Sequence, residues 1–588
     1  MTCILLCAIV LTAGPSTASD QVYSLILAGG ITGERDLELF LDVRDGNVQR
    51  AFAMAPQFNK VSYRVDAKEL SAAAGRLTGQ MEVTVTSDGY HPPPGCTDVG
   101  IYAIDANVTD GRVVGAFRGT YRRMGDPASP SQRKDPSAAD GKQKLDGTVT
   151  GTVTAPPPWG RNIRVALYLD HARAQPAPQP NARTKNSYKN DFPDSEGDSP
   201  IFPAGKLGQS PSYSRTSSKI APRWNLPGFL RLTTADGKAE VATLRGFGGH
   251  PINYFSAEVT GANVTFSGDR LAGTVDALSG RRTYRFTLDA DVIGDRLAGR
   301  FTKVVDGKPD VSGRLLGSAE DVSDVAATDA VYYLVLDHAV AARDRKTGSL
   351  DTRQMILHLP CTAGRFRGGV GFAGTYNHTY YDAESAGLRL DGRKLTGTLG
   401  VTVNPDPYVP PDGKAVACQY AVDAEVVHGS VIGSFSGNFG PQEVAGRLSG
   451  EVRRRRPIPE PMHVHIKLDD GAAGQEGGPA WHRRCYLGFI ATDGKATAGS
   501  FSNNKGGFRG RFLSGEVACD GERFDATVEA VVDESRTVQV GRHTFRLRGK
   551  VIGLEVVGQV ETLFENRPWK QNTAFMGSLS PVRESAKP

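Results

Sequence analysis

The chain has 588 residues, too many for one hydrophobic core, and its composition (39% hydrophobic, 23% charged) is that of a globular protein. Its 69 basic residues stand against 64 acidic ones, leaving a net charge of +5. Over this length that is too nearly balanced to point to nucleic acid.

Residues 1–19, MTCILLCAIVLTAGPSTAS, form an apolar run followed by small residues, with Ser16 and Ala18 suited to a secretory cleavage site. No later stretch reaches the length of a membrane helix, so no transmembrane segment is expected. The expected location is secreted or periplasmic. Five cysteines follow the leader: Cys96, Cys361, Cys418, Cys485 and Cys519. An oxidising compartment would allow Cys361–Cys418 and Cys485–Cys519 bridges, leaving Cys96 over. Cys361 shares strand parity with Leu357 and Leu359, and Cys418 with Tyr420 and Val422, so both should point inward. Reduced, buried thiols are the alternative.

Four stretches open with one similar strand: VYSLILAGG at Val22, RVALYLDHA at Arg164, VYYLVLDHA at Val331 and HVHIKLDDG at His463. Aligning Leu27, Leu169, Leu336 and Leu468 gives a period of a whole small domain, longer than solenoid or propeller repeats. A hairpin follows in each unit, with Asp45-Gly46, Asp236-Gly237, Ala363-Gly364 or Asp493-Gly494 at its reversal. Next come an Asn, a strand, a G-x-L-x-G strand, and a second hairpin. That second hairpin reads YAIDANVTDGRVVGAFRG at Tyr102 and YAVDAEVVHGSVIGSFSG at Tyr420, with weaker copies near Tyr284 and Phe545. A last strand closes each unit.

The expected fold is all-β: four tandem antiparallel meander domains of about eight strands each, built as up-and-down β-barrels or β-sandwiches. The domain map is a signal peptide at 1–19 and domains at 20–158, 159–320, 328–454 and 460–582, with a long polar insertion at 173–223 in the second. Arg453, Arg454, Arg455 and Arg456 before Pro457 read as a solvated linker. Alternation in YRFTLDADV places Tyr284, Phe286, Leu288, Ala290 and Val292 inside and Asp289 outside. The repeated Asp105, Asp289 and Asp423 therefore read as solvent-facing, and Arg548 in the fourth copy removes any shared acid chemistry.

The site candidates lie in the connections. An Asn follows the first hairpin in every unit (Asn59, Asn253, Asn377 and Asn504), suited either to a turn or to a polar hook for sugar hydroxyls. Aromatic and imidazole groups follow it: Tyr63, Tyr254, and His378, Tyr380 and Tyr381. A glycan site there would expose Asn377, His378 and Tyr381 together. A second shared loop, SDGYHPPPG and PDPYVPPDG, sets Asp88 with Tyr90 and Asp406 with Tyr408 as a stiff ledge for a ligand or neighbouring domain. His463, His465 and His482 lack a carboxylate or cysteine to complete a metal set. No catalytic motif, metal site or cofactor is assigned.

These observations fit a secreted, non-catalytic repeat protein that binds an extracellular polymer, polysaccharide above all, or forms part of an envelope or matrix. Two alternatives stay open: a carbohydrate-active enzyme (lyase or hydrolase) with catalysis in one repeat, and a carrier of a small apolar ligand. The oligomeric state is unknown from the sequence.

Overall fold

The computed structural model describes residues 20–582 apart from 32–34, 56–58, 87–95, 125–142, 171–227, 246–255, 344–349, 374–380, 404–415, 470–484, 504–507 and 536–539. The described residues form four consecutive closed antiparallel β-barrels of eight strands. The meander expected from the hairpins is thus closed on itself rather than folded into two sheets, and closure removes every exposed sheet edge.

Barrel 1 runs from the strand Gln21–Ile31 to the strand Gln143–Thr154, which pair with each other to close the ring. Barrel 2 closes Asn162–Asp170 on Lys308–Asp321, and barrel 4 closes Met462–Asp469 on Arg567–Pro581. In barrel 3 the strand Ala330–Arg343 pairs with both Leu350–Thr362 and Gln442–Arg454. Two short strands, Arg365–Phe366 and Leu388–Asp391, extend its wall.

The tight reversals follow from backbone chemistry. Asp45-Gly46, Asp110-Gly111, Asp236-Gly237, His428-Gly429 and Asp493-Gly494 all carry positive φ at both central residues. That turn matches the right-handed twist of the strands it joins, and Asp or Asn before Gly tolerates it best.

Alternation fills the interiors. Each barrel encloses one cluster of buried apolar side chains. Phe286, Leu288, Ala290 and Val292 face inward and Asp289 faces out. The exposed Asp105, Asp289 and Asp423 pair with Arg76, Arg270 and Lys394 at 2.5, 2.8 and 2.7 Å, surface contacts of little energetic weight.

One position recurs where no side chain fits. A Cβ on Gly115, Gly299, Gly433 or Gly558 would lie 2.1–2.3 Å from the carbonyl oxygen of Asp105, Asp289, Asp423 or Arg548 on the neighbouring strand. Above this close approach Tyr102 and Tyr420 cross the interiors of barrels 1 and 3. Their hydroxyls donate to Gly30 O at 2.6 Å and Ala339 O at 2.9 Å. Both carbonyls sit in the irregular end of a first strand, where the register shifts and the ladder alone leaves an acceptor to satisfy.

None of the five described cysteines is joined in a disulfide. Cys361 and Cys418 do face one core, but their strands stand diametrically opposite in the ring of eight, four steps of about 4.8 Å apart whichever way one counts. Cys485 lies level with Asn503, and the next strand then runs from Phe508 to Cys519, so those two thiols sit at opposite ends of barrel 4, roughly 30 Å apart. Neither expected bridge forms, because shared inward parity does not bring two residues together in a closed barrel.

Candidate functional site at the rims and junctions

In an up-and-down barrel the connections alternate between two ends. In barrel 1 the reversals at 45–46, 74–75 and 110–111 are tight and share one end, while the connections 32–34, 56–58, 87–95 and 125–142 share the other. The same parity puts 171–227 and 246–255 of barrel 2, 344–349, 374–380 and 404–415 of barrel 3, and 470–484, 504–507 and 536–539 of barrel 4 at one end of their barrels.

Asn253, Tyr254, Asn377, His378, Tyr380, Asn504, Asp88, Tyr90, Asp406 and Tyr408 fall in these connections and lie outside the described residues. Asn59 begins the strand Asn59–Ala73 at this end of barrel 1. Two expected rim residues are elsewhere. Tyr63 and Tyr381 are buried in the interiors of barrels 1 and 3, because each occupies an inward position of its strand. Tyr381 is therefore not exposed beside Asn377 and His378.

The outer walls carry the feature that sequence reasoning missed. Consecutive barrels dock, and every junction uses the same two walls. At the first, Val22, Phe40, Phe52 and Met54 of barrel 1 pack on Ile293, Ala298 and Leu316 of barrel 2. At the third, Val331, Tyr333, Ile356, Val370 and Phe372 of barrel 3 pack on Ile552, Val557 and Met576 of barrel 4. The strand registers make these sets equivalent. Val22 aligns with Val331, and Phe40 and His358 are the partners of Ser24 and Tyr333. Ala298 pairs with Leu316 just as Val557 pairs with Met576. The turn glycines Gly294 and Gly553 reach Val22 and Tyr333 respectively.

The central junction keeps the walls and changes the chemistry. Arg164 stands where Val22 and Val331 stand, and Arg231, the partner of Ala166, stands where Phe40 does. From barrel 3 comes Glu451, on the strand that carries Ser449, the counterpart of Leu316. Glu451 is 2% exposed. Arg231 and Arg164 approach its carboxylate at 3.1 and 3.7 Å, and Arg453 donates from Nε at 2.6 Å.

Arg164 also donates to Val452 O at 2.9 Å and to Glu320 at 2.6 Å, and Arg245 donates to Ser449 Oγ at 2.5 Å. His428–Glu240 and Arg447–Glu258 contacts, both at 2.8 Å, line the edge. Thr233 and Ser430 hydroxyls meet at the centre. The Arg453 guanidinium lies 4.5 Å above the Tyr333 ring, so this charged group reaches the third junction as well. There His358 Nδ1 lies 2.5 Å from Glu555 without hydrogen-bond alignment.

Burial would push the Glu451 carboxyl up, but Arg231, Arg453 and Arg164 outweigh it and hold it down to about 2. Burial pulls the Arg231 guanidinium down to about 9 against the pull of Glu451, and lowers Arg245 as well. The central junction therefore concentrates buried charge, at a desolvation cost, where the outer junctions are mainly apolar. It also corrects the reading of the Arg453–Arg456 run. Arg453 ends its reach inside the molecule, on a strand, and only the residues beyond Arg454 continue as linker.

Among the described residues no group of three or more His, Cys, Asp and Glu side chains is placed to hold a metal ion, and no helix is long and apolar enough to cross a membrane.

No family model matches the chain, and no curated protein matches it. Among solved structures it is similar to a point mutant of transferrin binding protein B from Haemophilus parasuis Hp5, at 10% identity, 96% coverage of both chains and a TM-score of 0.15. It is similar also to intact Ap-TbpB, N and C lobes, at 9% identity, 96% of this chain, 95% of that one and a TM-score of 0.14. At TM-scores this low the likeness bears on neither the fold nor the function.

Proposed function

We propose that this chain is a non-catalytic binding protein that works outside the cytoplasm, holding an extracellular polymer, polysaccharide above all, through the long connections at the barrel rims. The observation that carries the reading is the division of labour in each barrel. The interior is filled with side chains, the wall docks neighbours, and the long connections gather at one end. Rigid scaffolds with variable loops at one end are a common way to present binding residues.

Filled interiors argue against a carrier of small apolar ligands: Tyr102, Phe117, Phe286, Phe301, Tyr420 and Phe545 occupy the space that such a ligand would need. Four rims on one chain suit a repetitive ligand, because weak sites on one chain act together through effective concentration. The leader-like residues 1–19 support the location.

The test is a screen of the full chain on immobilised polysaccharides, run beside an assay for released reducing ends. Saturable binding without product is expected, with His378→Ala weakening it about tenfold, the loss of roughly 1.4 kcal/mol of hydrogen bonding. Product release that His378→Ala abolishes would replace this reading with a carbohydrate-active enzyme. Failure to bind any polymer would overturn it.

A further inference from the structure

Among the described residues, three junctions built on the same pair of walls leave one wall of each type uncovered, at the two ends of the array. On barrel 1 the vacant wall is the equivalent of the one that barrels 2, 3 and 4 present. Val114 occupies the position of Ala298 and Val557, and its partner Thr150 that of Leu316 and Met576. In barrels 2 and 4 this position is covered, with Ala298 at 5% and Val557 at 3% exposure, and in barrel 3 Ile432 is half-buried, whereas Val114 is 55% exposed. Ile26, paired with Thr150 from the other side, is 36% exposed, so two apolar side chains flank Thr150 on the outer face of three adjacent strands. Val114 lines an open depression of about 620 Å³ together with Asn107, Thr109, Asp110 and Arg112.

The complementary vacant wall is on barrel 4. His463 stands there in the position of Val22, Arg164 and Val331, beside Ile490. The turn that reaches this position in the internal junctions is 294–295 or 553–554, whose counterpart in barrel 1 is Asp110-Gly111. The shared register thus sets the Asp110 carboxylate against the exposed imidazole of His463 from another chain.

We propose that the protein assembles head to tail, the vacant wall of barrel 1 docking on barrel 4 of a second copy in the register used three times within the chain. The contact is heterologous: each copy uses a different wall, so it propagates into an open filament unless its rotation closes a ring. The inference rests on the wall geometry and stands apart from the identity of any polymer bound at the rims.

Analytical ultracentrifugation of the full chain tests it, with two exposed substitutions chosen to leave the barrels intact. Wild type should sediment faster as its concentration rises. Val114→Asp, which spoils the barrel 1 wall, and His463→Glu, which opposes Asp110 with a like charge, should each sediment as monomers at every concentration, with the melting temperature of wild type. Mixed in equal amounts, the two variants should form a capped dimer, because one intact wall of each type remains. Monomeric wild type at all concentrations would overturn the proposal. So would variants that stay monomeric when mixed, and so would either variant associating alone as wild type does, the behaviour of a symmetric dimer built on one wall.

Discussion

Replacing Glu451 with Gln should uncouple the molecule at its middle. The carboxylate is buried and is approached by Arg164, Arg231 and Arg453, so its loss leaves three guanidinium groups facing one another with a neutral acceptor. Removing one partner of a buried ion pair costs roughly 3–5 kcal/mol. Arg164 keeps Glu320 and Val452 O, and the Arg453 side chain, at 24% exposure, can take up water, which places the expected loss near the lower end, about 3 kcal/mol.

The repeat supplies the matching control. Arg164→Val, Arg231→Phe, Arg245→Met, Ser449→Leu and Glu451→Ser install, at five positions, the residues of the first junction, where Val22, Phe40, Met54, Leu316 and Ser318 stand, and leave Arg453 to the Tyr333 ring and water. Replacing a buried ion cluster with well-packed apolar groups is neutral or stabilising by about 1–4 kcal/mol. Calorimetry reads both. The Glu451→Gln variant should show barrels 1–2 and barrels 3–4 unfolding in separate transitions, and the five-fold variant a single transition at or above that of wild type. Unchanged unfolding in Glu451→Gln would refute the reasoning, as would a five-fold variant destabilised as much as the single one.

The same carboxylate sets an acid response. Its folded value is held down to about 2, below its ordinary value of 4.5, so its stabilisation is complete above about pH 4.5 and is lost as the pH falls towards 2. Between those limits the central junction should loosen on acidification, followed by small-angle scattering, and Glu451→Gln should lack that step. Tyr420→Phe should lower the stability of barrel 3 by about 1 kcal/mol in urea unfolding, since Ala339 O loses its donor. Barrels 2 and 4 already carry Phe286 and Phe545 at that position, so the barrel should still close. Mass spectrometry of the unreduced protein should find no Cys361–Cys418 or Cys485–Cys519 bridge. The buried Cys361, Cys418 and Cys485 should resist alkylation until the chain unfolds.

Much of this architecture is legible in the residues. Period-two alternation in YRFTLDADV marks the interior, and Asp-Gly reversals mark the hairpins, because both are local and each is enforced by backbone chemistry. The barrel closure is a partnership of first and last strands across more than a hundred residues, and no local pattern announces it. The docking walls are harder still. Val22 and Val331 face outward, where alternation implies water, and nothing in their own strands says that a neighbouring barrel covers them. Arg164, Arg231 and Glu451 are scattered along the chain and meet only when barrels 2 and 3 dock. The available signal was the comparison of outward positions between repeats, where Phe40 and Met54 in one copy face Arg231 and Arg245 in the next. The rim residues fared differently. Tyr63 and Tyr381 stand close in sequence to the Asn positions, but strand parity turns them inward, and parity rather than proximity decides.

The repeated docking register is the claim on which the rest depends, and one engineered disulfide tests it. A Cβ built on Gly294 lies 3.9 Å from the Cβ of Val22 across the first junction, within the roughly 3.5–4.5 Å that a disulfide requires. Cysteine at Gly294 costs about 1–2 kcal/mol for its left-handed backbone, φ +61°, small beside the stability of a docked barrel pair. Mild oxidation of Val22→Cys with Gly294→Cys should give the linked peptide in high yield. Val22→Cys with Gly553→Cys, the equivalent turn on barrel 4, should give none in monomeric protein. Equal yields from both pairs, or none from the first, would contradict the shared register.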